Sequence, residues 1–321
     1  MYGKISSLNE YAEKLYRILE NACNETNSNL ISLSGGLDSS IIAYFLKEKK
    51  PTTVAVIAED FVSNDLTYCQ TIGKNLNLDV NILNVKTTEI LEGIEETIKI
   101  LKNFNDIEIR NNVVMYLALK WAKEQDIESI LTGDGADELF AGYNFFLYKS
   151  QPELDRELER VRSIMHFPTQ EIGKYLGIKI ESPFLNDNVI EYAKKIPSEL
   201  KVGEYEKKRI GKWILRKAFE NKLPNQIVWR EKSPMQDGSG TVGLTNLFNS
   251  IMNEENFVEK KLWIEKHEGV NLRSKESLHY YEIFKRYHKI PISKNSLKKC
   301  PYCKFTVDQS KFCRMCGAFP I

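Results

Sequence analysis

The stretch Leu30-Ile31-Ser32-Leu33-Ser34-Gly35-Gly36-Leu37-Asp38-Ser39-Ser40 decides the fold. Residues 30–33 are a short apolar run of strand type, and residues 41–49 carry apolar positions at helical spacing. Between them lies a loop of glycine, serine and aspartate. Two glycines let main-chain N–H groups approach an anion closely, Ser34 and Ser39 add hydroxyl donors, and the following helix directs its positive N-terminus at the same spot. Asp38 is an anion in an anion site, which makes sense if it holds a divalent cation that bridges phosphates. No lysine follows the second glycine, so this is not a Walker-A loop. A Gly-Gly turn alone is ordinarily a structural turn; the strand, the hydroxyls and the aspartate together set this one apart.

Working outward, residues 9–24 read as an amphipathic helix, and residues 53–58 as a strand opened by Pro51. Residues 64–75 read as helical, 78–85 as extended, 87–102 and 111–125 as two helices, and 127–131 as another short strand. That strand ends in a second loop, Thr132-Gly133-Asp134-Gly135-Ala136-Asp137-Glu138-Leu139-Phe140-Ala141-Gly142-Tyr143. Strands alternating with helices predict an α/β fold, a parallel sheet with helices on both faces. Both loops fall just after strand C-termini, where open α/β sheets bind ligands. From residue 151 the pattern turns helical, over 151–163, 168–176, 186–196, 206–221, 244–266 and 274–288.

The first loop resembles the SGGxDS loop of the ATP pyrophosphatase (PP-loop) superfamily. The second resembles the GxGxDExFxGY loop of the asparagine synthetase and β-lactam synthetase family. The resemblance covers about residues 5–245. It implies an adenine nucleotide α-hydrolase-like PP-loop fold that cleaves ATP to AMP and pyrophosphate. In that reading Ser32, Ser34, Gly35, Gly36, Asp38, Ser39 and Gly133 bind ATP, with Val56 and Ile57 holding adenine through their backbone. Asp38 and Asp137 share Mg²⁺. Asp134 sits where the family carries a catalytic acid. Gly211-Lys212-Trp213-Ile214-Leu215-Arg216 and Arg230-Glu231-Lys232 match the family's pair of lysines: Lys232 the catalytic one, Lys212 its pyrophosphate partner. Compact ammonium groups suit the shifting charge of a pyrophosphate leaving group. Ser182-Pro183-Phe184-Leu185-Asn186, Lys195-Ile196-Pro197 and Asp237-Gly238 match without carrying chemistry.

The sequence departs from that family in its acceptor half. The arginine expected near Met165-His166-Phe167-Pro168-Thr169-Gln170 is missing, the arginine expected before the PFLD motif is Glu181, and the motif's aspartate is Asn186. Arg160 and Arg162 lie nearby in sequence. The resemblance maps to the synthetase half only; the glutaminase half begins with a cysteine after the initiator methionine, and Tyr2 stands there.

Six cysteines occur. Cys23 and Cys69 are isolated in helix-like stretches and read as small buried hydrophobes. Cys300-Pro301-Tyr302-Cys303 and Cys313-Arg314-Met315-Cys316-Gly317 are two C-x₂-C knuckles whose spacing fits tetrahedral Zn²⁺. A module this small needs the metal for its folding energy.

At roughly 150 residues per domain, 321 residues make about two domains or one with an appendage. We read 1–150 as the ATP-binding α/β core, 151–288 as the helical part of the synthetase domain, 289–299 as a basic linker and 300–321 as a zinc ribbon. The composition, 42% hydrophobic and 28% charged, excludes disorder, collagen-like repeats and coiled coil. No apolar run approaches the ~20 residues that span a bilayer, and no signal-peptide core occurs, so a cytoplasmic protein without disulfides is expected. Net charge is only +1, yet residues 289–321 hold seven Lys/Arg against Asp308 alone. That basic tail suits RNA, a partner protein or plain solubility.

Three functions follow from these readings. The first is ATP-dependent amidation of a small-molecule carboxylate through an acyl-adenylate, with ammonia free or from a separate glutaminase subunit. The second is modification of tRNA through an adenylated base, docked by the ribbon. The third is a non-catalytic scaffold that binds nucleotide, against which the retained Asp38, Asp134, Asp137, Lys212 and Lys232 argue.

Overall fold

The computed structural model describes residues 2–63, 65–232, 238–291, 298–307 and 311–321, with side chains from residue 8 onward. The chain divides into two compact units. The first comprises Met1–Ile57, Asn64–Leu83 and Ala118–Pro234, the second Ala58–Ser63, Asn84–Leu117 and Met235–Ile321. Most of the stretch read as a basic linker, residues 292–297, lies outside the described residues, as does Asp237.

The first unit is built on a five-stranded sheet of β1 (Leu30–Ser32), β2 (Thr52–Ala58), β3 (Val80–Val85), β4 (Ser129–Leu131) and β5 (Lys179–Glu181), in the order β3-β2-β1-β4-β5. β1 pairs in parallel with β2, Leu30 opposite Thr52, and with β4, Ile31 opposite Leu131; β4 pairs in parallel with β5. Residues Val54 to Ala58 of β2 are all buried, the unbroken apolar run of a strand covered on both faces. The order reverses between β1 and β4, which opens a crevice at their C-terminal ends. Both Gly/Asp loops begin there.

α1 (Tyr2–Asn24) buries Ala12, Leu15, Leu19 and Ala22, one stripe at spacings of three and four. Complete burial of Leu15 and Leu19 is worth about 1.5–3 kcal/mol each. α2 (Leu37–Leu46) and α3 (Asp65–Leu76) pack in the same core, where Cys23 and Cys69 are buried as the sequence predicts. Past α4 (Thr87–Leu101) and α5 (Asp106–Glu124) come α6 (Ala136–Leu139), α7 (Gln151–Ser163), α8 (Pro168–Leu176) and α9 (Asp187–Lys195).

Residues 206–221 were expected to be one helix and are not. An antiparallel hairpin of β6 (Val202–Tyr205) and β7 (Lys208–Gly211) stands there, and α10 (Trp213–Phe219) starts only after it. Glu206 and Lys207 both take positive φ, +48° and +66°, the two-residue turn that suits a right-twisted hairpin. Tyr205 then stacks on Trp229, centroids 4.1 Å apart and planes 3° off parallel, just after α11 (Asn225–Val228). The fifth strand, β5, also rises from the part read as helical.

The second unit holds α4, the part of α5 up to Leu117, α12 (Gly243–Ile251), α13 (Glu254–Glu268) and α14 (Lys275–Tyr287). The helix expected over 244–266 is split, because Asn253 caps a new start by accepting from the Asn256 amide at 2.7 Å. Gly93 of α4 lets Val113 and Tyr116 of α5 approach; a Cβ there would lie 3.0 Å from Val113. Phe104 sits 5.0 Å from Tyr281 and 5.3 Å from Phe284, centroid to centroid. A buried ion pair, Arg110 to Glu276 at 3.2 Å, is satisfied further by Thr245 and Tyr280. The terminal module docks here: the Phe104 amide donates to Met315 O at 2.9 Å, the Asn271 amide to Tyr302 O at 2.7 Å, and Arg273 Nη2 to Cys316 O at 2.8 Å. No helix among the described residues is long and apolar enough to cross a membrane.

Candidate active site

The loop after β1 is fixed by its own side chains and by α3. Gly35 has φ +63°, and a Cβ on it would lie 2.5 Å from Tyr68 Cβ and 2.7 Å from the Cys69 amide nitrogen. Only glycine fits. Ser34 and Ser39 hydroxyls stand 3.2 Å apart; Ser39 Oγ accepts from the Ser34 amide and Ser34 Oγ from the Gly36 amide, each at 3.3 Å. Gly36 caps α2, so the helix begins on the loop, with Asp38 in its first turn. Ser32 ends β1, and Val56 and Ile57 lie toward the C-terminal end of neighbouring β2.

The loop after β4 abuts the first. A Cβ on Gly133 would come within 2.8 Å of Asp38 Cβ, so the two loops touch through that glycine. Lys212 and Lys232 join there, although twenty residues separate them. Lys212 Nζ donates to Asp38 Oδ2 at 2.6 Å and lies 2.7 Å from Asp137 Oδ1 without hydrogen-bond alignment. Lys232 Nζ donates to Asp137 Oδ2 at 2.5 Å. Burial alone would raise the Asp137 carboxyl, but Lys212 and Lys232 outweigh it and hold the group well below the usual carboxylate range. Burial opposes the Lys232 ammonium, and Asp137 and then Asp38 outweigh that and raise it. Lys212 is 4% exposed. Its left-handed backbone, φ +55°, is held by its amide on Phe140 O at 3.0 Å.

Asp38 Oδ1 is buried and has no hydrogen-bond partner among the described residues. A buried orphaned carboxylate oxygen, with a second carboxylate on the same Lys212 ammonium, offers hard oxygen donors of the kind Mg²⁺ takes, so the residues fit a divalent cation. Asp134 stands apart from this group. Thr132 Oγ1 donates to Asp134 Oδ2 at 3.0 Å and lies 2.8 Å from Ser182 Oγ, and Thr169 is a further hydrogen-bond partner. Burial pushes the Asp134 carboxyl up to about 6 against the Thr132 hydrogen bond, and the Glu138 charge adds to the rise. A group there can exchange a proton near neutrality.

Several contributors stood in the quoted motifs without a role assigned to them from the sequence. A Cβ on Gly142 would lie 1.8 Å from Asp137 Oδ1 and 2.4 Å from Lys212 Cε, so this glycine is the space the two side chains occupy. Arg230 pairs with buried Asp65 at 2.7 Å, and its guanidinium lies 3.8 Å from the Tyr68 ring centroid, behind the first loop. Tyr143 donates to Glu138 at 2.5 Å, and burial raises both groups.

The positions that depart from the resembled family have other employment. Glu181 Oε2 accepts from the Asn27 amide at 3.1 Å; Asn186 caps α9 and donates to Glu25 at 2.8 Å. Both brace the turn between α1 and β1. Arg160 is half-exposed and pairs with Glu157 at 2.7 Å on its own helix. His166 is exposed.

In the second unit Cys300, Cys303, Cys313 and Cys316 are buried, with their sulfurs all within 4.8 Å of one another. The pairs Cys300–Cys316 and Cys303–Cys313 are 3.7 and 3.6 Å apart. Zn–S bonds near 2.3 Å in a tetrahedron imply sulfurs roughly 3.8 Å apart, whereas a disulfide needs about 2.05 Å. The two knuckles share one backbone pattern. The Lys304 amide donates to Cys300 O and the Gly317 amide to Cys313 O, while the Cys300 and Cys313 amides donate to Phe305 O and Ala318 O. The four thiols therefore form a cluster that can hold a metal ion.

The chain is similar to known proteins. A family model described as asparagine synthase matches residues 10–176 and 171–286. Asparagine synthetase (glutamine-hydrolysing) of Gallus gallus is 29% identical over 276 residues, 80% of this chain and 48% of that protein. The Homo sapiens protein of the same description is 29% identical over 275 residues, with the same coverage. The chain thus spans about half the length of these curated relatives. Among solved structures, NMN synthetase from Francisella tularensis is similar at 16% identity and a TM-score of 0.39, over 90% of this chain and 98% of that one.

Proposed function

This chain belongs to the asparagine synthase family, and from that membership and the site's geometry we propose that it activates a small-molecule carboxylate with ATP and transfers the acyl group to ammonia. The observation that carries the reading is the convergence of Lys212 and Lys232 on Asp38 and Asp137, at the mouth of a strand–loop–helix built for phosphate.

In this reaction a carboxylate oxygen attacks the α-phosphorus of ATP, and the bond to the β-phosphate oxygen breaks to release pyrophosphate. Nitrogen then attacks the acyl carbon, AMP leaves, and one proton is lost from nitrogen. Ser32, Ser34, Gly35, Gly36, Ser39 and Gly133 cradle the phosphates, and the backbone at Val56 and Ile57 receives adenine. Asp38 and Asp137 would hold Mg²⁺, which neutralises phosphate charge when bound. Lys212 and Lys232 receive the departing pyrophosphate. Asp134 accepts the proton from nitrogen.

We assign the nucleotide to the part spanning residues 1–150 and both lysines to the helical part, 151–288. Cys300, Cys303, Cys313 and Cys316 would hold a structural Zn²⁺ that supplies folding energy to the terminal module. We further propose a cytoplasmic setting that keeps these thiols reduced, and ammonia arriving free or from a separate glutaminase subunit. Exposed Lys298, Lys299, Lys304, Lys311 and Arg314 favour a second reading, in which the module docks RNA for modification.

The test is pyrophosphate release by zinc-loaded protein with ATP and Mg²⁺, supplied with aspartate plus ammonium, ammonium alone or bulk tRNA. Aspartate-dependent release that disappears in Asp38→Ala is expected. Release with tRNA alone would overturn amidation in favour of the second reading. Silence in every arm, with a panel of other carboxylates also inert, would reduce the chain to a nucleotide-binding scaffold.

A further inference from the structure

Arg216 of α10 is 4% exposed, and all its hydrogen bonds go to main-chain carbonyls. Among the described residues it has no carboxylate partner within ion-pair distance. Burial brings its guanidinium down to about 10, so it stays charged at neutral pH. Asp38 and Asp137 offset part of the burial through their charge, but a buried cation without a direct ion pair is costly and is retained only where its donors are well used. Here Nε donates to Gly211 O at 2.8 Å, and Nη1 donates to Val228 O and, at 3.0 Å, to Arg230 O. Its own amide donates to Lys212 O at 2.9 Å.

These acceptors bracket the two lysines. Gly211 precedes Lys212, and Arg230 lies two residues before Lys232. The planar guanidinium fork thus ties two backbone segments that are distant in sequence and carry both ammonium groups. Lysine, with a single nitrogen on a flexible stem, cannot hold both segments in that plane. Arg230 in turn reaches Asp65 and Tyr68, against which Gly35 packs.

We propose that Arg216 is a positioning residue that sets Lys212 and Lys232 at the separation pyrophosphate requires. This rests on the proposed assignment of the lysines to pyrophosphate. The experiment uses the zinc-loaded full chain and calorimetric binding of two probes in Mg²⁺: inorganic pyrophosphate, and AMP, which lacks the β- and γ-phosphates. In Arg216→Lys and Arg216→Gln, pyrophosphate affinity should fall at least about tenfold, the loss of one or two charge-assisted hydrogen bonds, while AMP affinity stays within about twofold. In a Lys232→Met background no lysine pair is left to set, so Arg216→Lys should weaken pyrophosphate by less than about twofold, and an undiminished loss there overturns the inference.

Unchanged pyrophosphate binding, or an equal loss for both probes, overturns the inference. If neither Arg216 variant folds, hydrogen exchange on the wild type decides. Pyrophosphate must then slow the amides of 211–216 and 228–231 together, and protection of one segment alone overturns the inference. Wild-type protein that binds AMP but no pyrophosphate would instead overturn the assignment of the lysines, which keeps the two failures distinct.

Discussion

Asp134→Asn should make the folded protein more stable at neutral pH while stopping the reaction. Burial raises the Asp134 carboxyl to about 6, whereas an unfolded aspartate titrates near 3.9. Two units at 1.36 kcal/mol each make about 3 kcal/mol. The folded state binds the proton more tightly, so the group's contribution is fully present below about pH 4 and is lost as pH rises through about 6. Above that, ionised Asp134 costs the fold up to about 3 kcal/mol, less what the water reaching a half-buried side chain returns. Asparagine does not ionise and still accepts from Thr132 Oγ1. Denaturant unfolding without nucleotide should therefore show the variant ahead by roughly 2–3 kcal/mol at pH 7.5, a few degrees in Tm for a chain of this size, and level with wild type at pH 4. Pyrophosphate release should persist, but amide formation should fall at least about 100-fold. Equal stabilities at pH 7.5 would refute the desolvation argument, and a variant that still forms amide at the wild-type rate would refute the proton role.

Lys232→Met should slow pyrophosphate release by about 10²–10³-fold with a smaller change in KM for ATP, as single-turnover kinetics would show. Gly142→Ala places a methyl where Asp137 Oδ1 and Lys212 Cε stand; turnover should drop by more than about 100-fold and thermal stability should fall, both read on one preparation. Treating the zinc-loaded protein with a strong chelator should make the four clustered thiols titratable while Cys23 and Cys69, both fully buried, stay protected. The amides of Phe104 and Asn271, which bond to Met315 and Tyr302 carbonyls, should then exchange faster.

The two loops were legible because each residue type there has a local reason. Gly35 needs a positive φ, Ser34 and Ser39 hold the turn, and Asp38 makes sense only beside a cation. The knuckles were legible because four cysteines at that spacing have few other uses. The hairpin at Val202–Gly211 was not, since Val-Gly-Glu-Tyr-Glu-Lys-Lys-Arg-Ile-Gly shows no clean period-two pattern. What decides it is the turn at Glu206 and Lys207 and the Tyr205–Trp229 stack, which joins residues 24 apart. β5 was missed because Lys-Ile-Glu has one apolar residue; its identity comes from Ile180 lying opposite Ile130 on β4. Arg216 stood in a quoted motif, but two of its three carbonyl partners, Val228 and Arg230, are brought to it only by tertiary structure. The same holds for Glu181 and Asn186, whose partners, Asn27 and Glu25, lie more than 150 residues away.

The choice of lysine over arginine follows from what the site must do twice. As it stands, Asp38, Asp137, Lys212 and Lys232 are two carboxylates and two ammonium groups, a neutral set closed on itself, with Lys212 bridging both acids. In the proposed reaction a polyphosphate draws the lysines away, and two buried carboxylates cannot be left uncompensated. Their charge must be met by a cation, and Asp38 Oδ1 already lacks a protein partner among the described residues. Nucleotide and cation binding are therefore linked, each strengthening the other by the same factor. Arginine's rigid fork would lock onto one carboxylate in a bidentate pair and resist the exchange, whereas a compact ammonium on a flexible stem trades partners with little reorientation. In the proposed reaction the departure of pyrophosphate would let the ammonium groups fall back on Asp38 and Asp137.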